Sequence, residues 1–429
     1  MTWAVRPALV LGLFLGAYAL QYLVETALLA LNLRRAARTR GVPEALAGAV
    51  DEATAGRSRA YVLARGRLAL VEGAAGALIT LAVLLGGTLP WLDRTLAGLG
   101  LSGAHLFVAY VAALSAAGSL LGTPFSLYGT FVVEERFGFN RTTLRLWLAD
   151  RTRSILLQAV LGIPLLYAVY GFMTFTGSAW WLWVFAFLVL VQVFMLWLWP
   201  SFIAPLFNRF APLPAGPLRE RLEALAREAG FRNRGLYVMD ASRRSGHSNA
   251  YFTGLFRPRI VLFDTLVERM DVDEAASVLA HEIGHYRERH VHRRLAGSLA
   301  VLLAALFGAS LLLPWTPLYA AFGLDRPALH AGLALLFLCG GSFVFWMAPF
   351  ASGLSRRHEF QADRYAVRLA RAPAALKRAL LRLSGENLSN PDPHPWYVAW
   401  HYSHPPLPDR LARIDDVAAR EGLAPAAPA

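Results

Sequence analysis

The sequence predicts a mainly α, polytopic membrane protein with seven transmembrane helices and a smaller cytoplasmic portion containing short strands. Three observations predict it: the composition, seven apolar stretches of bilayer length, and the placement of arginine. Of 429 residues, 56% are hydrophobic and only 17% charged, where soluble domains average about 45–50% and roughly 25%. That balance excludes a disordered chain, a collagen-like repeat and an ordinary cytosolic enzyme. The net charge is +13, and Lys377 is the single lysine among 42 basic residues. In a membrane protein such an excess gathers in cytoplasmic loops. The arginines alternate with apolar spans and form no soluble basic face with aromatic platforms, so no nucleic-acid partner is expected. The one cysteine, Cys339, lies in an apolar run, which rules out an intrachain disulfide and a multi-cysteine metal site.

Each crossing needs about 20 apolar residues. The stretches that supply them lie near 8–31, 68–89, 104–123, 154–176, 179–204, 296–322 and 328–350. The first follows Arg6 as a signal peptide would. It is too long for one, has no clear small-residue cleavage site and runs into Arg34, Arg35, Arg38 and Arg40, so it reads as a true span. Trp180, Trp181 and Trp183 mark one interface of the fifth stretch, and Trp197 and Trp199 the other. Pro200 and Pro205 then loosen the chain where it leaves the membrane.

Residues 33–67 hold eight arginines, whereas the loop 90–103 holds only Arg94. The positive-inside rule therefore puts 33–67 in the cytoplasm and the N-terminus outside. Alternation adds 124–153, 205–295 and the tail from 351 to the cytoplasmic side, which collects every long polar segment there. The chain divides accordingly into spans 1–5 (1–204), a cytoplasmic region (205–295), spans 6 and 7 (296–350) and a second cytoplasmic part (351–429).

Within the first polar region, 218–230 alternates Ala and Leu with Arg and Glu at helical spacing. Runs at 236–239 and 260–263 read as strands around the segment 247–256. Asp271 and Glu274 have the spacing of a capping box. The helix they open is expected to run unbroken past Arg294 towards the sixth span. The Ala/Pro tail at 424–429 is expected to fray.

On the capped helix stands His281-Glu282-Ile283-Gly284-His285. Histidines at i and i+4 project from one face and can grip one Zn²⁺. Glu282 lies about 100° round the helix from His281. It therefore sits beside the metal, where a carboxylate can take a proton from water at an open coordination position. The same spacing also occurs by chance on solvated helices, in roughly one such chain in fifty. His290 and His292 read as surface or interfacial residues.

A catalytic zinc needs a third protein ligand. Glu359 is the candidate, and Asp363, four residues on along the same face, can hold a zinc histidine by its second nitrogen. Alone, E-x-x-x-D is also an ordinary charged helix start; beside H-E-x-x-H the metal reading prevails. His358 then points to another face. In Tyr402-Ser403-His404-Pro405-Pro406-Leu407-Pro408-Asp409-Arg410 the prolines fix a non-helical approach to a final helix. His404 or Arg410 can supply positive charge to an oxyanion, although spacing alone favours a turn with a capping arginine. In Ser248-Asn249-Ala250-Tyr251-Phe252 a sheet edge can accept an extended substrate, and Asn249 offers both a donor and an acceptor. From these residues alone a polar turn is preferred.

Together these segments resemble the type I CAAX prenyl proteases, integral-membrane zinc metallopeptidases of the gluzincin kind. The resemblance covers nearly the whole chain. The H-E-x-x-H, E-F-Q-A-D, S-N-A-Y-F and Y-S-H-P-P segments are similar to that family's. So are P-F-S-L-Y from Pro124, F-V-V-E-E from Phe131, F-G-F-N from Phe137 and P-L-F-N from Pro205. The resemblance implies seven helices enclosing a large water-filled chamber, with a cytoplasmic zincin-like domain and a small β-sheet at the metal end. It implies one Zn²⁺ per chain on His281, His285 and Glu359, with Glu282 as general base and Asp363 behind the ligands. It further implies that Asn249 holds substrate backbone and that His404 and Arg410 contact substrate near the scissile bond.

The implied partners are a lipid bilayer and a peptide or protein substrate that is prenylated or hydrophobic at its C-terminus, from which the family removes the terminal tripeptide. Asp409 departs from the Glu common there. Brevity at the C-terminus, no evident ER-retrieval signal and the arginine bias suggest a bacterial member in the inner membrane, for which prenylated substrates are not assumed. A membrane-protein quality-control endopeptidase with the same site is the alternative. A seven-span transporter or channel with structural zinc is disfavoured, because the spans hold few ionisable residues and a structural zinc has no use for Glu282.

Overall fold

The computed structural model describes residues 6–231, 235–253 and 259–423; the tail at 424–429 and part of the 247–256 segment lie outside them. Among the described residues, seven helices are long and apolar enough to cross a membrane: Pro7–Arg38, Glu52–Leu85, Gly103–Glu134, Leu144–Phe175, Gly177–Phe207, His290–Leu312 and Leu329–Ala370. Their starts follow local chemistry. Pro7 opens the first, the Asp51 carboxylate accepts from Thr54 N at the second, and the Thr143 hydroxyl accepts from Leu146 N at the fourth, each satisfying or dispensing with an orphan amide. Pro124 and Pro200 do not end their helices; each is accompanied by a π turn, Gly129–Glu134 and Trp199–Ile203. Many apolar side chains along the spans face outward, with Phe175 and Phe337 both 87% exposed. In water so large an apolar surface would drive aggregation; hydrocarbon solvates it. The seventh helix does not stop near 350 but continues through a 3₁₀ turn at Phe345–Met347 into Ala348–Ala370.

The polar regions build one α+β body. Strands β1 (Phe210–Pro212), β2 (Leu236–Met239), β3 (Ala250–Thr253) and β4 (Arg259–Phe263) form a sheet of order β1-β2-β4-β3. β2 and β4 are parallel, and the other pairs antiparallel. β3 is therefore an edge, with Ala250 opposite Leu262 and Phe252 opposite Ile260. This overturns the preference for a polar turn at 248–252. β-branched and aliphatic residues in β4 supply the pairing partner that the four residues of β3 lack on their own. The helix Pro217–Glu228 follows the expected amphipathic pattern and ends at Gly230, whose φ of 57° suits a glycine.

The helix Val272–Arg287 opens on the expected capping box, with Asp271 accepting from Glu274 N and Glu274 accepting from Asp271 N. Its buried face carries Ala276, Leu279, Ala280 and Ile283 against Ala366, Leu376, Ala379 and Ile414. Gly284 lets it approach Ala348–Ala370 closely: a Cβ there would stand 3.0 Å from Ala362 Cα. The expectation of an unbroken helix past Arg294 is corrected. Arg289 takes a left-handed conformation, φ 56°, and a new helix starts at His290. A left-handed residue cannot continue a right-handed helix, and periodicity carries no trace of it.

Candidate metal centre

Two helices bring the candidate ligands together. His281 and His285 lie on one face of Val272–Arg287, and Glu359 faces them from Ala348–Ala370. One nitrogen from each histidine and one Glu359 oxygen all lie within 4.8 Å of one another. The two Nε2 atoms are 3.1 Å apart; His285 Nε2 is 3.3 Å from Glu359 Oε1 and His281 Nε2 3.4 Å from Oε2. Glu359 Oε2 is buried and makes no hydrogen bond. A buried carboxylate oxygen without a donor is costly, and a cation between these atoms would satisfy it. Two imidazoles and a carboxylate form a donor set that suits zinc.

The remaining ring nitrogens fix the tautomers. His281 Nδ1 lies 2.8 Å from Asp363 Oδ1, so it donates there and leaves Nε2 free. Asp363 is held in turn by Arg410, whose Nε and terminal nitrogen donate at 2.8 and 2.6 Å. His285 Nδ1 lies 3.0 Å from His290 Nδ1, and His290 Nε2 lies 2.8 Å from Gln361 Oε1. With Gln361 accepting, His290 donates from Nε2 and accepts on Nδ1. His285 then donates from Nδ1, which again frees Nε2. The expectation that His290 sits at the surface is thus overturned. It is buried, touches His285 and stacks on His358 at 4.1 Å. The turn at Arg289 swings it back over the site. His292 is exposed, as read.

Glu282 lines the cleft beside His281, and burial pushes its carboxyl up from the ordinary range, with the Glu359 charge adding to the effect. With no metal bound, burial alone would depress the His281 imidazole, but the Asp363 hydrogen bond and charge, with help from Glu359, raise it, so that a cation binding at Nε2 displaces a proton there. His404 stands 3.4 Å from Glu359 Oε1. Partial desolvation at the cleft lowers its imidazole, although the side chain is still 62% exposed. The cleft holds about 690 Å³ and is also bordered by Asn249, Ala250 and Arg410, so it opens along the β3 edge. All eight residues singled out in the sequence meet at this one cleft or directly behind it.

Sequence reasoning missed a second function of the Glu359 helix. Ser352, Arg356, Glu359 and Asp363 form one stripe at spacings of four, three and four. Ser352 donates to Trp400 O at 2.9 Å, and Arg356 donates to Val398 O and Tyr402 O, both at 2.8 Å. These bonds clamp the end of the helix Pro395–His401, immediately ahead of His404. The stripe itself was a readable signal.

Comparison with known proteins agrees with this geometry. The family described as "CAAX prenyl protease N-terminal, five membrane helices" matches residues 32–209, and "Peptidase family M48" matches residues 212–418. A CAAX prenyl protease 1 homolog of Oryza sativa subsp. japonica is 36% identical over 92% of this chain and 95% of its own length. The chain belongs to peptidase family M48. It is an integral-membrane, multi-pass metalloendopeptidase similar to the CAAX prenyl proteases. Another M48 relative, the CAAX prenyl protease 1 homolog of Homo sapiens, is 32% identical, with 92% of each chain covered. The crystal structure of S. mikatae Ste24p superimposes with a TM-score of 0.89 at 30% identity, covering 96% of this chain and all of that one. These relatives are eukaryotic.

Proposed function

We propose that this M48 protein binds one Zn²⁺ on His281, His285 and Glu359 and cleaves peptide bonds near the hydrophobic or prenylated C-terminus of protein substrates. The observation that carries the reading is the convergence of one nitrogen from each of His281 and His285 with a carboxylate oxygen of Glu359, whose buried Oε2 has no hydrogen-bond donor. When bound, zinc supplies the Lewis acidity that activates water and polarises a carbonyl. Asn249 and the β3 edge hold the substrate backbone extended across the cleft. Glu282 takes the proton of the attacking water and passes it to the leaving amine. Its raised pKa suits both halves of that task. His404 and Arg410 offer N–H groups where negative charge develops on the carbonyl oxygen, while Asp363 holds His281 by its outer nitrogen.

The arginines of 33–67 support a cytoplasmic position for this cleft and an outside N-terminus. The preference for arginine over lysine supports a bacterial inner membrane.

Glu282→Gln should keep zinc and lose cleavage; retained activity refutes the base assignment. His285→Ala and Glu359→Ala should lose metal, read by elemental analysis of the purified proteins. The substrate class is tested with a farnesylated CAAX peptide, its unprenylated twin and an unfolded membrane protein. Cutting the membrane protein and neither peptide would replace this reading with quality control.

A further inference from the structure

A second cavity, of about 490 Å³, lies where spans 2, 3 and 4 meet the segment 244–247 between β2 and β3. Arg65, Glu134, Asp150, Arg151, Arg244 and His247 line it, and His247 also lines the metal cleft, so the two spaces adjoin. Its charges are unevenly paired. Arg244 grips Asp150 with two bonds, at 2.8 and 3.0 Å, and Asp150 also accepts from Arg153 at 3.2 Å. Glu134 accepts from Tyr61 Oη at 2.7 Å and lies 3.3 Å from His247 and 3.5 Å from Arg65. Arg151 is different. Among the described residues it forms no ion pair. One terminal nitrogen bonds Ser119 O, Ser119 Oγ and Thr123 Oγ1, which leaves the rest of a half-buried guanidinium facing the cavity. An unpaired arginine on a membrane helix calls for an anionic partner, and its planar fork matches a carboxylate.

The polarity of the sheet says where such a carboxylate would come from. β3 runs from Ala250 to Thr253, so an extended substrate added antiparallel to it points its C-terminal end past Ala250 towards His247. Three residues beyond a scissile bond span about 10 Å. Building on the proposed cleavage near the substrate's C-terminus, taken as release of a terminal tripeptide, we propose that this cavity receives the free C-terminal carboxylate of the substrate, with Arg151 as its anion partner. The enzyme would thereby measure the distance from the cut to the chain end.

The test uses the zinc-loaded full-length protein in detergent with two farnesylated peptides, one ending in a free acid and the other in the C-terminal amide. The acid should be preferred roughly 10- to 100-fold in kcat/KM, as a charge-assisted contact allows. In Arg151→Met the acid-to-amide ratio should fall to about one, and in Arg151→Lys to an intermediate value. A measurement needing no variant guards against misfolding: a free tripeptide acid should inhibit the wild-type protein at lower concentration than its amide. Equal cleavage of both peptides by wild type, equal inhibition by the two tripeptides, or an unchanged ratio in Arg151→Met overturns the assignment alone. Cleavage of neither peptide overturns the tripeptide reading and the assignment with it.

Discussion

Replacing Gly284 by alanine tests whether helix contact sets the ligand spacing. The added Cβ would stand 3.0 Å from Ala362 Cα, 3.1 Å from Ala362 O and 3.1 Å from Tyr365 Cβ. None of these is the free end of a flexible side chain. Reaching an ordinary contact of 3.4 Å needs about 0.4 Å of separation (3.4 − 3.0) between the two helices. One of those helices carries His281 and His285, the other Glu359, while metal–ligand distances tolerate about 0.2 Å. Overpacking of this kind costs about 1–3 kcal/mol. If the strain falls on the site, zinc affinity drops by about 5- to 150-fold. Competition with a calibrated zinc chelator in detergent measures the affinity, and melting of the metal-free protein measures fold stability. Ile283→Val is the control: it thins the same core by one methyl, at about 0.5–1.5 kcal/mol, without touching the interface gap. Zinc affinity of Gly284→Ala within twofold of wild type, with lowered metal-free melting, would refute the reasoning, since the helices would then separate without moving the ligands.

Three further expectations follow from other contacts. His290→Ala removes the acceptor that fixes the His285 tautomer, and zinc affinity should fall about 10- to 100-fold, read by the same chelator competition. Arg356→Ala releases the carbonyls of Val398 and Tyr402; kcat should fall about tenfold or more as His404 loses its fixed place, with zinc content unchanged and partial recovery in Arg356→Lys. The third concerns Asp392, where burial acts to raise the carboxyl. Hydrogen bonds from Arg35 and Thr39 and the Arg35 charge outweigh it and hold the carboxyl below its ordinary value. Its stabilisation is therefore complete above the unfolded value of about 3.9 and is lost as pH falls through the lower folded one. The partly exposed pair contributes about 0.5–1 kcal/mol. Asp392→Asn should lower the melting temperature at pH 7 and flatten its fall below pH 4.

The parts of this molecule that sequence revealed were local or compositional. Seven apolar runs announce seven spans, because a bilayer demands length and hydrophobicity regardless of tertiary context. Asp271 and Glu274 announce their capping box, because both partners lie within one turn. The histidine pair is legible for the same reason. What escaped was set by distant partners. β3 is four residues long and becomes a strand only against β4. His290 reaches His285 through a left-handed Arg289 that no spacing rule encodes. Arg410 meets Asp363 across 47 positions, so spacing alone favoured a capping turn where the fold builds a buried ion pair.

The continuity of the seventh span with the Glu359 helix has a mechanical consequence. Glu359 lies eleven residues beyond Ala348, a lever of about 16 Å at 1.5 Å per residue. A change of about 2° in the tilt of that span, if uncompensated, carries the carboxylate about 0.5 Å, more than a metal–ligand bond tolerates. Tilt follows hydrocarbon thickness. With Glu359 as the proposed ligand, the surrounding lipid becomes part of the coordination geometry, and the same polypeptide should hold its metal with different strength in thin and thick bilayers.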